Sequence, residues 1–363
     1  MCLELQRARQ YAVSACADRG GTGKILVTET ESAASAVNHL VTVVIPCVEV
    51  DPLTARCVHD CATLFPGVEV LVFSDIPDDG GRVAGMRGVR VAVTGKVTIA
   101  KKRNMGAAAS SRPYLGFIDS DAYPTEGWVA NAVDVLEREA DVWAVGGPNL
   151  SPMDRPAGER YVGLALKSLL VSGKWIYRKR IEPARLVDDL PSCNLIVRRD
   201  QYMTLGGMDE ALITGEDMEF CARLRAAGGA ILYTPNVLVF HKARDLKNFI
   251  TQRLTYGTSV PRLVHRRRDF DFLVLCLPAA FVAFIATGPI GTFCPTYGLF
   301  WLSVMAVYAI TVGLEAVRHA ERAEDIPGVI LALAVGNLMP GVGTWARLFG
   351  FFRDPSNIYR NDR

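Results

Sequence analysis

The chain has little of what marks several common protein classes. Its 40 Lys and Arg stand against 38 Asp and Glu, a net charge of only +2. With no basic field in excess, a nucleic-acid-binding surface is not expected. Nine cysteines are scattered along 363 residues with no C-x-x-C pair, so the usual zinc patterns are excluded. Unpaired thiols suit a reduced, cytosolic catalytic portion. Cys57 and Cys61 share one face of a helical stretch with Leu53 and Leu64, and read as small buried apolar residues. Residues 1–40 lack the apolar core of a signal peptide. They also lack a true phosphate loop. Arg19-Gly20-Gly21-Thr22-Gly23-Lys24 has Asp18 at the first-glycine position and Ile25 where a Ser or Thr would meet Mg²⁺. These residues read as an N-terminal extension.

What the chain has in excess is apolar residues. They make up 50% of it, and the mean hydropathy is +0.19. The excess lies in the last quarter. The length is too great for one small domain.

From residue 41 to about 260, strand-like and helix-like segments alternate. Val41 to Ile45, closed by Pro46, is a β-branched run of the kind that forms a buried parallel strand. A helix follows from Pro52 to Leu64, then strands over Val68–Phe73 and Val89–Val93. Next comes a small-residue helix over Ile99–Ala109 and a strand over Tyr114–Ile118. Thr125 is placed to cap a helix over Gly127–Glu137, and Val142–Val145 is another strand. Glu216–Ala227 reads as a helix ended by Gly228-Gly229, before an extended segment from Ile231 to His241. The alternation predicts an α/β fold with a mostly parallel sheet, whose ligands gather at the carboxyl ends of the strands.

Asp119-Ser120-Asp121 stands at such an end. Two carboxylates one residue apart, leaving a strand, can hold a hard divalent cation, Mg²⁺ or Mn²⁺, together with substrate phosphates. Gly215-Glu216-Asp217 is a second acidic pair opening a helix. A metal-held diphosphate plus a separate carboxylate base is equipment for moving a sugar from a nucleotide to a hydroxyl.

Several short motifs, in order, resemble glycosyltransferase family 2, with its nucleotide-sugar-binding GT-A fold. They are Val43-Val44-Ile45-Pro46, Arg103-Asn104-Met105-Gly106, Phe117 to Asp121, Gly146-Gly147-Pro148, Cys193-Asn194, Gly206 to Glu210, Gly215-Glu216-Asp217 and Val239-Phe240-His241. The resemblance covers residues 41–260. It implies a metal-dependent enzyme of the EC 2.4 class using a nucleotide-diphosphate sugar. Asp121 would be the chief metal ligand, Asp119 would lie nearer the ribose and sugar, and His241 would be a further ligand. Asp217 would be the base of an inverting displacement, supported by Glu216. Pro46, Glu49, Asp75 and Arg103 would face the nucleotide, and Cys193, Asn194, Gln252 and Arg253 the acceptor. Three departures stand out. Glu49 and Val50 occupy positions where asparagine and glutamate are usual, and Ser74-Asp75-Ile76-Pro77 replaces the usual acid–glycine–serine run. Gln252-Arg253 lacks the tryptophan of processive synthases, which argues against a long-polymer synthase.

Residues 261–363 read as a membrane region. Two apolar runs, about 270–290 and 295–317, are each long enough at about 1.5 Å per residue to cross roughly 30 Å of hydrocarbon. Arg262, His265, Arg266, Arg267 and Arg268 precede the first, and Arg318 and Arg322 follow the second. The basic flanks predict a hairpin with both ends in the cytoplasm, at the cytoplasmic (inner) membrane, the catalytic domain facing the cytoplasm. A third apolar segment, 326–352, is expected to be re-entrant or spanning. The expected partners are therefore a nucleotide-sugar, a lipid-linked or glycan acceptor and the membrane, with a role in cell-surface polysaccharide or glycolipid synthesis. Alternatives are a polyprenyl-phosphate glycosyltransferase, a nucleotidyltransferase, or a non-catalytic transferase-like scaffold.

Overall fold

The computed structural model describes residues 37–212, 215–266 and 274–351. The N-terminal glycine-rich segment, Arg267 and Arg268, and the side chains of Arg262, His265 and Arg266 lie outside the described parts. In chain order the elements are β1 (Val41–Pro46), α1 (Pro52–Leu64), β2 (Glu69–Ser74), β3 (Val89–Val93), α2 (Ile99–Ala109), β4 (Tyr114–Phe117), β5 (Ala122–Pro124), α3 (Trp128–Arg138), β6 (Val142–Gly146) and β7 (Asn149–Leu150). Then come α4 (Ala157–Leu166), α5 (Leu169–Ser172), β8 (Arg185–Leu186), β9 (Leu195–Arg198), α6 (Arg199–Thr204), α7 (Glu216–Ala226), β10 (Ala230–Tyr233) and β11 (Val239–His241). The last four helices are α8 (Leu246–Arg266), α9 (Leu277–Ala286), α10 (Pro295–His319) and α11 (Ile326–Leu348).

The chain forms two compact units. One runs to Leu150 and resumes over Tyr177–Lys242; the other comprises Ser151–Ile176 and everything from Ala243. The domain boundary expected at residue 260 thus differs from the observed division, and residues 151–176 belong with the C-terminal helices.

The first unit is an α/β layer structure. Its large sheet runs β3-β2-β1-β4-β9-β6-β10-β8, and a small sheet runs β5-β11-β7. The first four strands are parallel, and β9 is antiparallel to both β4 and β6. All six residues of β1 are buried, as a doubly covered parallel strand requires. The helices start where local chemistry asks. Asp51 accepts the Thr54 amide at 2.7 Å ahead of Pro52, and Thr98 accepts the Lys101 amide at 3.2 Å. Thr125 does not cap α3. Its hydroxyl donates to the Leu238 carbonyl at 3.0 Å, and Gly127 holds the cap position without a side-chain bond. The extended segment expected over 231–241 is two strands in two sheets, broken at Pro235-Asn236.

The second unit is helical. Its core joins Val162 and Ala165 of α4, Phe249 of α8, Val312 and Ala316 of α10, and Val329, Ala332 and Leu333 of α11. Arg160 grips Asp325 with both guanidinium arms, at 2.5 and 3.1 Å. Among the described residues, two helices are long and apolar enough to cross a membrane. Pro295–His319 and Ala323–Leu348 each reach a mean hydropathy of 1.7, with 11% and 39% of the apolar stretch buried. The first expected span is shorter. Among the described residues it is the ten-residue α9 and a 3₁₀ turn over Gly288–Thr292. Ten residues of helix reach about 15 Å, half the hydrocarbon thickness, because Gly288-Pro289 breaks the helix. The third segment is a continuous helix, α11, with Pro340 inside it.

Candidate active site

Topology gathers the site. In parallel strands β1, β2 and β4 the carboxyl ends lie on one side, bringing Cys47, Asp75 and Asp119 to one edge. Strand β9 runs the other way, with Leu195 opposite Phe117, so the residues just before it, Cys193 and Asn194, come to that same edge. In the small sheet His241 pairs with Ala122 and Val239 with Asn149. That register sets His241 beside the end of the Asp119–Asp121 turn.

The resulting cluster is tight. His241 Nε2 stands 3.1 Å from Asp121 Oδ1 and 3.6 Å from Asp119 Oδ2. Ligand atoms of Asp119, Cys193 and His241 all lie within 4.8 Å of one another. Burial opposes ionisation of Asp119, but the His241 hydrogen bond and the Arg103 charge outweigh it and bring the carboxyl down to about 2. Burial likewise disfavours the His241 imidazolium. Cys193 and the carboxylates of Asp121 and Asp119 overcome that and hold the ring well above its ordinary value.

Arg103 joins the two acidic motifs. It is 2% exposed, and its two terminal nitrogens lie 2.8 Å from Asp119 Oδ1 and 2.8 Å from Glu216 Oε1. Burial opposes its charge, yet Asp119, Glu216 and Asp217 raise it above its ordinary value. Gly215 begins α7 at φ +80°, a backbone state that side-chain-bearing residues rarely adopt, and so turns Glu216 and Asp217 toward this edge. Asp217 is oriented by backbone donors: the Met218 amide at 2.8 Å to Oδ1 and the Ser192 amide at 3.2 Å to Oδ2. Glu216 is pushed up by burial and by Asp217, against Arg103.

Other expected site residues are placed differently. Asp75 is buried and paired with Lys102, which also donates to the Cys47 carbonyl. Both terminal nitrogens of Arg103 are engaged by carboxylates, while its buried Nε has no hydrogen-bond partner among the described residues, so it is a strut between them rather than an open cation for a diphosphate. Pro46 ends β1, and Glu49 is exposed just beyond it. Asn194 is a correction. It is wholly buried, accepts from Trp128 Nε1 at 2.8 Å and donates to the carbonyls of Val237 at 2.8 Å and Pro148 at 3.2 Å. Its amide holds the end of β9 in the core and does not face an acceptor. Gln252 and Arg253 belong to the second unit. There Gln252 donates to the Tyr256 hydroxyl at 3.1 Å, and Arg253 lies 4.8 Å from the Phe249 ring centre.

Sequence reading missed Asn149, whose Nδ2 donates to Cys193 Sγ at 2.9 Å, and Asn104. The Asn104 side chain takes the Met208 amide at 2.9 Å and donates to the Met208 carbonyl at 2.8 Å, pinning the Gly206–Glu210 loop. Asn104 was visible as part of a matched motif. Nothing local marks Asn149.

The sheet order and the site at its carboxyl edge define a GT-A glycosyltransferase fold. Mannosyltransferase PcManGT from Pyrobaculum calidifontis, solved with GDP-Man and Mn²⁺, shares it: the TM-score is 0.55 over 84% of this chain and 86% of that chain, at 15% identity. Residues 42–203 match glycosyl transferase family 2, so this part of the chain is a family 2 glycosyltransferase domain. A pre-mycofactocin glycosyltransferase of Mycobacterium tuberculosis is 30% identical over 243 residues, 66% of this chain and 49% of that protein. Glycosyltransferase AglE of Haloferax volcanii is 28% identical over 158 residues, 43% of this chain and 48% of that protein. The chain thus spans about half the length of the curated relatives it matches.

Proposed function

We propose that this chain is a metal-dependent inverting glycosyltransferase that moves a sugar from a nucleotide-sugar to a lipid-linked acceptor. One observation carries the reading: Arg103 ties the carboxylate of Asp119, in the metal-type motif, to Glu216, beside the candidate base Asp217. The donor set fits a divalent cation. Two carboxylates and an imidazole converge, and the Asp119 carboxyl, at about 2, stays ionised through the physiological range. Asp121, Asp119 and His241 would hold the ion, which when bound would neutralise the charge left on the nucleoside diphosphate.

The chain's own residues do the rest. Arg103 keeps Asp119 and Glu216 in fixed places, a preorganised arrangement that needs no rearrangement during reaction. Asp217, held by the Ser192 and Met218 amides, takes the proton from the acceptor hydroxyl as that oxygen attacks the anomeric carbon from the side opposite the diphosphate. Glu49 and Asp75 lie at the strand ends where the nucleoside would sit. Helices α10 and α11 would anchor the chain in the cytoplasmic membrane, with the α/β unit in the cytoplasm where nucleotide-sugars are made. Mostly unburied apolar length on α10 supports that reading.

The test is thermal unfolding of the detergent-solubilised protein with Mn²⁺ and UDP, GDP, dTDP or CDP. Saturation at about 100 times Kd should add roughly 2.7 kcal/mol with one nucleotide, and only with metal present. No shift with any nucleotide in folded protein would overturn the reading.

A further inference from the structure

We infer that Cys193 is a sulfur donor to the metal centre, which turns a hard oxygen site toward borderline ions such as Co²⁺ and Zn²⁺ and away from Mg²⁺. The inference rests on the metal-centre reading above and deepens it. Three different segments deliver the donors: the turn after β4 brings Asp119, the loop before β9 brings Cys193, and the end of β11 brings His241. Their ligand atoms all lie within 4.8 Å of one another. Side-chain rotation is enough to set donors so spaced on one ion.

The surroundings are built around the sulfur. Cys193 is buried, and the Asn149 amide donates to its Sγ at 2.9 Å. Such a bond orients a ligand thiolate and stabilises its charge. Asn149 is itself buried, and its Oδ1 has no hydrogen-bond partner among the described residues. An unpaired acceptor beside the donor cluster is what a water on a bound ion would satisfy. A bound cation holds a coordinating thiol as the thiolate. Thiolate is a soft ligand and imidazole a borderline one, whereas Mg²⁺ prefers oxygen and water.

Co²⁺ is the probe, because sulfur coordination gives it a near-ultraviolet charge-transfer band separate from its visible d–d bands. The full-length protein titrated with Co²⁺ should show both. Cys193→Ser should keep the visible bands and lose the near-ultraviolet one, and Asn149→Ala should bind Co²⁺ about 10–100-fold more weakly. Visible bands without the sulfur band in the native protein would overturn the inference and leave the metal centre standing. A sulfur band that survives in Cys193→Ser would do the same. No Co²⁺ spectrum at all would overturn the metal centre as well. If Cys193→Ser fails to fold, Cd²⁺ titration of the native protein and of His241→Ala decides. A sulfur–cadmium band lost in His241→Ala supports the shared site, and a band unchanged in that variant rejects it.

Discussion

The two units of this chain hide and expose opposite things. The α/β unit buries charge: Lys102 against Asp75, and Arg103 between Asp119 and Glu216. The helical unit exposes hydrocarbon: Leu299, at 67%, and Val307, Ile310 and Leu314 along α10 are exposed among the described residues. A buried charge is tolerated only when paired, and it persists where function needs a fixed charge. An exposed apolar helix is tolerated only where something apolar covers it. On the proposed reading, one unit is organised around an ionic ligand and the other around lipid.

Substitutions can break or sharpen that contrast. The largest effect is expected for Arg103→Met, which removes the buried cation between the Asp119 and Glu216 carboxylates. A loss of about 3–5 kcal/mol in denaturant unfolding of the solubilised protein is expected, and a loss below about 1 kcal/mol would mean the strut is idle. Next is Val307→Asp at the middle of α10. It should cost about 2.5–3.5 kcal/mol of insertion and move protein out of the membrane fraction, and unchanged partition would remove α10 as an anchor. Asp121→Asn should lower Mn²⁺-dependent turnover roughly a hundred-fold or more, with folding intact. Gly215→Ala forces a side chain into the left-handed region at φ +80°. It should cost about 1 kcal/mol and depress turnover by misplacing Asp217. The smallest effect is expected for Arg138→Ala, which removes an exposed pair with Asp134 at 2.8 Å and should change stability by less than about 0.5 kcal/mol.

Much of the α/β unit was legible because its signals are local. Helix α1, expected from Pro52 to Leu64, and strand β3, expected over Val89–Val93, both fall where expected. Strand β9 was not read, because Leu195-Ile196-Val197 is a short apolar stretch whose antiparallel place depends on partners far along the chain. The acidic motifs are legible as short patterns. The bond from Arg103 to Glu216 spans 113 residues and that from Asn149 to Cys193 spans 44, so no local pattern announces them. In the helical unit hydropathy located the apolar runs, but a running average does not see Gly288-Pro289 ending a helix. Among the described residues the first run is therefore the shorter α9 with its 3₁₀ turn.

The central claim is that Asp217 is the base of a metal-dependent sugar transfer. The most direct test compares native and Asp217→Asn protein with Mn²⁺ and the nucleotide-sugar identified by thermal shift, following both nucleotide binding and product formation. The account expects unchanged binding with turnover reduced about 10²–10⁴-fold. Turnover equal to that of the native protein would contradict it.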